Sequence, residues 1–105
     1  MLKVYSSMIG VLEMLRGVLT LIERHDRDLG NQLRRAASSV ALNIAEGAGR
    51  TGGTRLARYR TALGSARETG ACLDVAVALG YVEGVDGRVL SQLDDVRAML
   101  AALVR

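Results

Sequence analysis

Apolar residues recur along the first quarter of the chain at alternating spacings of three and four. They fall at Tyr5, Met8, Leu12, Leu15, Leu19 and Ile22. This spacing brings side chains onto one side of an α-helix, so it predicts a helix from about Leu2 to Arg24. A helix in a lone bundle needs one apolar stripe of roughly 100°, yet further apolar rows flank this one. We therefore expect a second buried side, packed against another subunit and lined by Val4, Val11, Val18, Met14 and Leu21.

A row of small apolar residues follows a short polar stretch at 25–28 and predicts a second helix from about Leu29 to Glu46. Either Asp26 or Asp28 is suited to be its N-cap, because a carboxylate accepts hydrogen bonds from the free N–H groups of the first turn. The predicted inward positions are Leu33, Ala37, Val40 and Ile44, with Ala36, Ala41 and Ala45 alongside. Leu42 lies on the opposite, polar side and is a further candidate for the subunit contact.

A polar stripe also runs along this second helix. Its members, spaced by three or four residues, are Arg35, Ser39, Asn43 and Glu46. No nucleophile and no metal ligand accompanies them, so we interpret the stripe as a structural polar network between helices or subunits, with Arg50 one turn beyond Glu46.

Glycines at 47–53 end the second helix. A phosphate-binding loop needs a preceding strand and a following Lys with Ser or Thr, and neither occurs here. The third helix is predicted from about Thr54 to Gly80, with an inward row at Leu56, Tyr59, Leu63, Ala66, Gly70, Leu73 and Val77. The fourth follows a turn at 84–87, with Val89, Leu93, Val96, Leu100 and Leu103 inward. Because every connection is short, residues 1–105 are predicted to form one all-α domain, an antiparallel up-and-down four-helix bundle.

Composition limits the chemistry of this bundle. The chain contains one His and one Cys, so a single chain assembles neither a disulfide nor a Cys/His zinc site. His25 is predicted to be a solvated turn residue and Cys72 a small buried apolar residue. No catalytic grouping, metal site or cofactor is predicted, and the protein is expected not to be an enzyme. Charges at Glu13 and Arg16 argue against a signal peptide and a membrane span, and we expect a cytoplasmic protein.

Positive charge is concentrated in the middle of the chain. Residues 24–67 hold nine arginines against three acidic residues, a net charge of +6, whereas residues 68–105 carry −3. Because guanidinium groups suit phosphate oxygens, the middle segment predicts a nucleic-acid surface. Its candidate residues are Arg34, Arg35, Arg50, Arg55, Arg58 and Arg60. The alternative is an ordinary solubilising surface, since arginine replaces lysine almost throughout and no aromatic platform for bases is evident.

The segment QLRRAASSVALNIAEGAGR (32–50) resembles the four-helix-bundle proteins of the 23S ribosomal RNA intervening-sequence family. The similarity continues through YRTALGSARE (59–68) and ALGYV (78–82). The accessory variability protein of diversity-generating retroelements is similar. The resemblance implies an antiparallel four-helix bundle without enzymatic activity that assembles as a homopentamer. For the retroelement relative it implies binding of nucleic acid and of a reverse transcriptase through a basic surface.

The basic residues that match the family pattern are Arg34, Arg35 and Arg50, with Arg58 at a commonly basic position. The chain departs from that pattern in its short HDRD turn (25–28), and in Leu56 and Tyr59, where the family usually has Phe. We therefore expect a non-catalytic homo-oligomer that binds RNA or DNA, or a nucleic-acid-processing partner, through an arginine-rich surface. The alternative is a purely structural or protein-interaction oligomer, in which arginines pair with the acidic last third of a neighbouring subunit.

Overall fold

The computed structural model describes residues 2–105, which form four α-helices. These are α1 (Lys3–His25), α2 (Arg27–Ala48), α3 (Gly52–Ala78) and α4 (Gly87–Leu103). Each helix packs against the next in sequence, and α4 packs against α1. Short connections make the neighbours antiparallel. The predicted all-α, up-and-down four-helix bundle is confirmed, and its principal extents are 43 × 24 × 20 Å.

The two ends of the bundle differ and are called the arginine end and the tyrosine end. The arginine end holds the α2–α3 turn (49–51), the start of α1 and the end of α4. The tyrosine end holds the α1–α2 junction at Asp26 and the α3–α4 connection (79–86), in which Tyr81 lies. Arg50 and Arg55 of the basic middle segment lie at the arginine end, whereas Arg24 and Arg27 lie at the tyrosine end.

The core side of α1 contains Met8, Leu15 and Ile22 as predicted, all fully buried. Val4 and Val11 lie beside them and are only 3% and 0% exposed. Assigning these two valines to a subunit interface was wrong, because α1 packs between α2 and α4 and buries two of its sides within the chain. Much of the apolar circumference of this helix is thereby covered without another subunit.

The predicted inward row of α2 is confirmed, since Leu33, Ala37, Val40 and Ile44 are all fully buried. In α4 the buried residues are those predicted except for the last, Leu103, which is 40% exposed near the helix end.

The inward row of α3 differs from the prediction on one flank. The buried residues include Ala62, Thr69 and Ala76, whereas Val77 is 40% exposed and Gly70 is half-buried. These three small residues sit one position before the predicted Leu63, Gly70 and Val77, although Leu63 is buried as well. Small side chains suit the close approach of α3 to the alanine-rich α2, and the Thr69 hydroxyl is satisfied by donating to the Ser65 carbonyl at 2.8 Å.

The α1–α2 junction is shorter than the predicted turn at 25–28, because His25 ends α1 and Arg27 begins α2. Asp26 is extended (φ −154°, ψ 99°), and its carboxylate accepts from the Leu29 N–H at 3.0 Å. Of the two N-caps considered, Asp26 is therefore the one used. A single non-helical residue turns the chain back on itself.

Gly80 ends α3 in a left-handed conformation (φ 77°) that suits a residue without a Cβ. The Gly80 N–H donates to the Val77 carbonyl at 3.0 Å, and the Tyr81 N–H donates to the Ala76 carbonyl at 2.9 Å. This pair of bonds is the Schellman motif. It directs Tyr81 back across the end of the bundle.

Tyr81 joins the two connections of the tyrosine end. Its ring stacks on His25 with centroids 5.3 Å apart and an interplanar angle of 9°. Its hydroxyl donates to the second carboxylate oxygen of Asp26 at 3.2 Å. Burial, with the Asp26 contact second, raises the pKa of the Tyr81 hydroxyl. His25 is exposed, as predicted, but it is stacked rather than freely solvated.

By length and composition α1 meets the criteria for a membrane-crossing helix. Glu13 and Arg16 are both exposed and do not by themselves remove it from that class. A helix that forms one wall of a bundle core meets the same criteria, and α1 contributes five buried residues here. The absence of a membrane span stays a prediction.

Candidate nucleic-acid interface

Three of the predicted arginines gather at the arginine end. Arg55 donates to the Gly47 carbonyl at 3.2 Å and the Ala48 carbonyl at 3.5 Å, and Arg58 donates to the Asn43 side-chain oxygen at 3.3 Å. Arg50 pairs with Glu46 at 2.5 Å. The antiparallel α2 and α3 therefore bring these arginines together, as the connection lengths indicated.

Arg55 has a structural role at this end. The last carbonyls of an α-helix have no partner within the helix, and the C-terminus carries partial negative charge. The Arg55 guanidinium satisfies two of these carbonyls from the first turn of α3. It thereby caps α2, and much of its hydrogen-bonding capacity is directed at the protein itself.

The predicted polar network is present in part. Asn43 donates to the Ser39 carbonyl at 2.9 Å and to its hydroxyl at 3.0 Å. The Ser39 hydroxyl lies 2.8 Å from that of Ser65 on α3. Arg58 extends this network through Asn43. The sequence did not predict Ser65, because only the fold shows which residue of α3 faces Ser39.

The other two members of the predicted network lie outside the Ser39–Asn43 group. Glu46 is engaged by Arg50, and the hydrogen bond and charge of Arg50, with a smaller contribution from Arg58, hold the pKa of the Glu46 carboxyl below its usual range. Arg35 makes no hydrogen bond or ion pair with any side chain among residues 2–105. It lines an open polar groove between α2 and α3 of about 580 Å³, whose other lining residues are Gln32, Ala36, Ser39, Ser65 and Glu68.

The remaining predicted arginines lie elsewhere. Arg34 forms an ion pair with Glu23 on α1 and also donates to Asn31 at 3.3 Å. Arg60 is exposed on α3 and, within the described part of the chain, its side chain has no hydrogen-bond or ion-pair partner. The six candidates therefore do not form one patch: three surround the arginine end, and the others are distributed over the sides of α2 and α3.

Arg67 was not among the predicted binding residues, although it shares a face with Arg60. Seven residues separate them, or about two helical turns. Gly64 lies between them, and a Cβ placed there would meet open space. Among residues 2–105 the Arg67 side chain is also without a hydrogen bond or ion pair. The shared face of Arg60 and Arg67 can be seen in a helical projection of the sequence. Among residues 2–105, Arg35, Arg60 and Arg67 thus carry uncommitted guanidinium groups on α2 and α3, as does Arg27 at the start of α2.

The residues predicted to contact another subunit differ in exposure. Val4 and Val11 belong to the core, as described above, and Met14 and Val18 are half-buried against it. Leu21 is 44% exposed, and Leu42 is 69% exposed on the outer side of α2. Additional exposed aliphatic side chains, which the predicted interface did not include, occur at Val75, Val77, Leu79, Leu90 and Leu103.

Cys72 is buried, as predicted, at 5% exposure. Burial raises the pKa of its thiol, with a smaller contribution from the charge of Glu68. The raised pKa disfavours the reactive thiolate. The position of Cys72 in the core is consistent with a small apolar packing residue.

The comparisons with known protein families and with solved structures point to the same family. The family model described as 23S rRNA-intervening sequence protein matches residues 2–102. A crystal structure of a protein with unknown function from the S23 ribosomal protein family, from Bacteroides thetaiotaomicron, superimposes with a TM-score of 0.78. It is 14% identical and is aligned over 97% of this chain and 98% of its own. No curated protein matches this chain.

Proposed function

The chain belongs to the 23S rRNA-intervening sequence protein family, and we propose that it is a non-catalytic homo-oligomer whose α2–α3 face binds nucleic acid. The observation that carries this proposal is the pair of uncommitted arginines on the α3 side of that face, Arg60 and Arg67. Both lie within the segment of net charge +6. Arginines already paired with carboxylates, such as Arg34 and Arg50, have part of their charge neutralised and contribute less.

The contacts in this proposal are to phosphate rather than to bases. Stacking of bases requires accessible aromatic rings, but Tyr59 is only 3% exposed, Tyr5 is half-buried against the core and Tyr81 is held against His25. Phosphate contacts position a protein on nucleic acid without reading its sequence. The proposed binding is therefore weakly dependent on sequence and strongly dependent on salt.

A titration at several salt concentrations tests this proposal. Each phosphate that a variant no longer neutralises lowers the slope of log affinity against log salt by about 0.9 on duplex DNA or about 0.7 on a single strand. The variant Arg60→Gln with Arg67→Gln is expected to lower the slope by about twice this amount. The control is Arg24→Gln with Arg27→Gln, which removes the same charge at the tyrosine end. Absence of wild-type binding at low salt would refute nucleic-acid binding.

Self-association is tested separately by the native mass. The resemblance implies a pentamer, which corresponds to about five times the chain mass of 11.2 kDa. A wild-type protein that sediments as a single chain at micromolar concentration would contradict self-association. The resemblance to the retroelement accessory protein also implies binding of a reverse transcriptase, and we propose the same basic surface for that contact.

The exposed aliphatic side chains favour a second candidate function, a structural or protein-interaction oligomer without a nucleic-acid role. In this case arginines of one subunit pair with the acidic segment 68–105 of its neighbour. The variant Arg50→Glu with Arg58→Glu would then disrupt assembly, while the wild type would show no affinity for RNA or DNA. The nucleic-acid proposal expects assembly to be retained and nucleic-acid affinity to be reduced, because the two substitutions lower the net charge of segment 24–67 from +6 to +2.

A further inference from the structure

An apolar groove opens between the end of α3 and the start of α4, at the tyrosine end. It has a volume of about 380 Å³ and is lined by Leu73, Asp74, Val77, Ala78, Gly84, Val85 and Leu90. Val77 and Leu90 are each 40% exposed. The groove therefore leaves two large aliphatic side chains accessible to water on the described part of the chain, which favours contact with an apolar side chain of a partner.

The surroundings of this groove are acidic. Residues 74–87 contain three acidic residues and no basic one. The Asp86 carboxylate is held by Arg88 at 2.9 Å. Asp74 and Glu83 make no hydrogen bond or ion pair among residues 2–105. A partner side chain that fits this groove is therefore apolar and has a basic residue near it.

The outer side of α2 presents such a side chain. Leu42 is the most exposed of the large apolar residues, at 69%, and it projects away from the buried row that contains Val40 and Ile44. Arg35 lies seven residues earlier, so it stands on the same side of α2 about two turns away. Its guanidinium has no hydrogen-bond or ion-pair partner among residues 2–105.

We propose that Leu42 of one copy inserts into the α3–α4 groove of a second copy, with Arg35 facing the acidic residues Asp74 and Glu83. The inference rests on the proposed self-association and assigns its contact surfaces. The two surfaces belong to different helices, so the contact is heterologous, and each copy offers one of each. Heterologous contacts repeat from copy to copy and produce either closed rings or filaments.

This arrangement predicts a specific behaviour of mixed variants. Leu42→Glu removes the inserted side chain but keeps the groove, whereas Leu90→Glu places a charge in the groove but keeps Leu42. Each variant alone is expected to be monomeric, with self-association weakened by at least about tenfold. An equimolar mixture retains one intact pair of surfaces and is expected to form a one-to-one heterodimer that does not grow further.

Native mass spectrometry and sedimentation of the wild type, both variants and their mixture test the proposal. Leu21→Glu is the matched control, because Leu21 is also exposed but belongs to neither surface; its assembly is expected to equal that of the wild type. Circular dichroism confirms folding, and Leu90→Ala replaces Leu90→Glu if the latter unfolds. Charge exchange gives a second readout, in which Arg35→Glu weakens assembly and Asp74→Arg in the same chain restores it.

The outcomes separate the two proposals. A monomeric wild type overturns self-association and this contact together. A wild-type oligomer that tolerates both Leu42→Glu and Leu90→Glu overturns the contact and leaves self-association intact. A mixture that remains monomeric, or a single variant that still assembles through its other surface, also overturns it. None of these results depends on nucleic-acid binding, which is measured by the salt titration.

Discussion

At the arginine end, the α2 backbone lies directly against a side chain of α3, while at the tyrosine end a side chain joins the two connections. Gly47 lies against the ring of Tyr59, with no room between them for a methyl group. Tyr81 spans instead from the α3–α4 connection to His25 and Asp26. The first arrangement depends on the absence of a side chain and the second on the presence of one, so the two ends should respond to different kinds of substitution.

The ends also differ in what they leave exposed. Arginine side chains surround the α2–α3 turn, and three of them are engaged in contacts within the chain. Five of the large exposed aliphatic residues belong to the other end, namely Leu21, Val75, Val77, Leu79 and Leu90. The tyrosine end thus suits contact with protein, whereas phosphate contact is proposed for the uncommitted Arg60 and Arg67 along α3. One small bundle has room for both because its core uses only the inward sides of four helices.

The largest effect on this comparison is expected from Gly47→Ala. A Cβ at this position would lie 2.6 Å from Cε1 of Tyr59 and 3.3 Å from Cβ of Arg58. The buried Tyr59 ring has little space to move, so overpacking is expected to cost about 1–3 kcal/mol in the free energy of unfolding. Denaturant titration measures it. The control Gly64→Ala meets open space and is expected to stabilise by about 0.5–1 kcal/mol. A neutral or stabilising Gly47→Ala would contradict the close approach.

Asp26→Ala is expected to destabilise the tyrosine end by about 1–2 kcal/mol, because it removes the α2 N-cap and the acceptor of the Tyr81 hydroxyl. Tyr81→Phe removes only the hydroxyl bond and is expected to cost about 0.5–1.5 kcal/mol. If the two groups act through their mutual contact, the double variant should cost less than the sum of the two single ones. Strict additivity in denaturant titrations would show that the Tyr81–Asp26 bond contributes nothing.

A smaller loss is expected for Arg55→Met, which keeps an apolar stem but removes the donors to Gly47 and Ala48. Favourable interactions of a cation with a helix C-terminus contribute about 0.3–1 kcal/mol. The expected destabilisation lies in this range and should shrink at high salt. Arg60→Met is the matched control, since its side chain has no partner in the described chain, and its stability should equal that of the wild type. Equal losses for both variants would argue against the cap.

The smallest expected effect is a loss of folding stability at low pH, to which one carboxylate at each end contributes. Arg50 lowers the pKa of Glu46 at the arginine end. At the tyrosine end Arg88 lowers the pKa of Asp86, the N-cap of α4, through a side-chain and a backbone hydrogen bond. A lowered pKa in the folded state means that the stabilisation is present above the unfolded-state pKa and is lost as the pH falls through the folded one.

The midpoint of thermal unfolding measured between pH 7 and pH 3 tests this dependence. The contributions of both carboxylates are expected to be constant above about pH 5 and to be lost progressively at lower pH, as the pH falls through their lowered folded-state pKa values. Glu46→Gln and Asp86→Asn should each flatten part of this decline. A variant with the same acid profile as the wild type would show that its carboxylate makes no pH-dependent contribution.

Much of the fold followed from residue spacing. The rows in α1 and α2 placed these helices to within two residues at each end, because their apolar residues are large or dense enough to mark one side. The inward row of α3 was predicted less accurately. Thr69 is polar and Ala62 and Ala76 are small, so periodicity favoured the adjacent positions Leu63, Gly70 and Val77. Only packing against α2 decides which flank is buried.

The functional surfaces were less predictable. Proximity of Arg50, Arg55 and Arg58 followed from the short turn between antiparallel helices, but the partners of these arginines did not. Val4 and Val11 were assigned to another subunit because the sequence does not state how many neighbours α1 has within the chain. The contact of Tyr81 with Asp26 joins residues 55 positions apart, and no local pattern marks such a pair.

The single-residue junction at Asp26 has a consequence for how copies of this chain can exchange segments. If Asp26 became helical, α1 and α2 would continue as one rod of about 46 residues, roughly 69 Å long at 1.5 Å per residue. In such a rod, α1 and α2 could not both pack against α3 and α4 of the same molecule. The α1 helix would then have to pack into the bundle of another molecule. The hydrogen bond from Tyr81 to Asp26 stabilises the extended junction, and it therefore disfavours domain swapping.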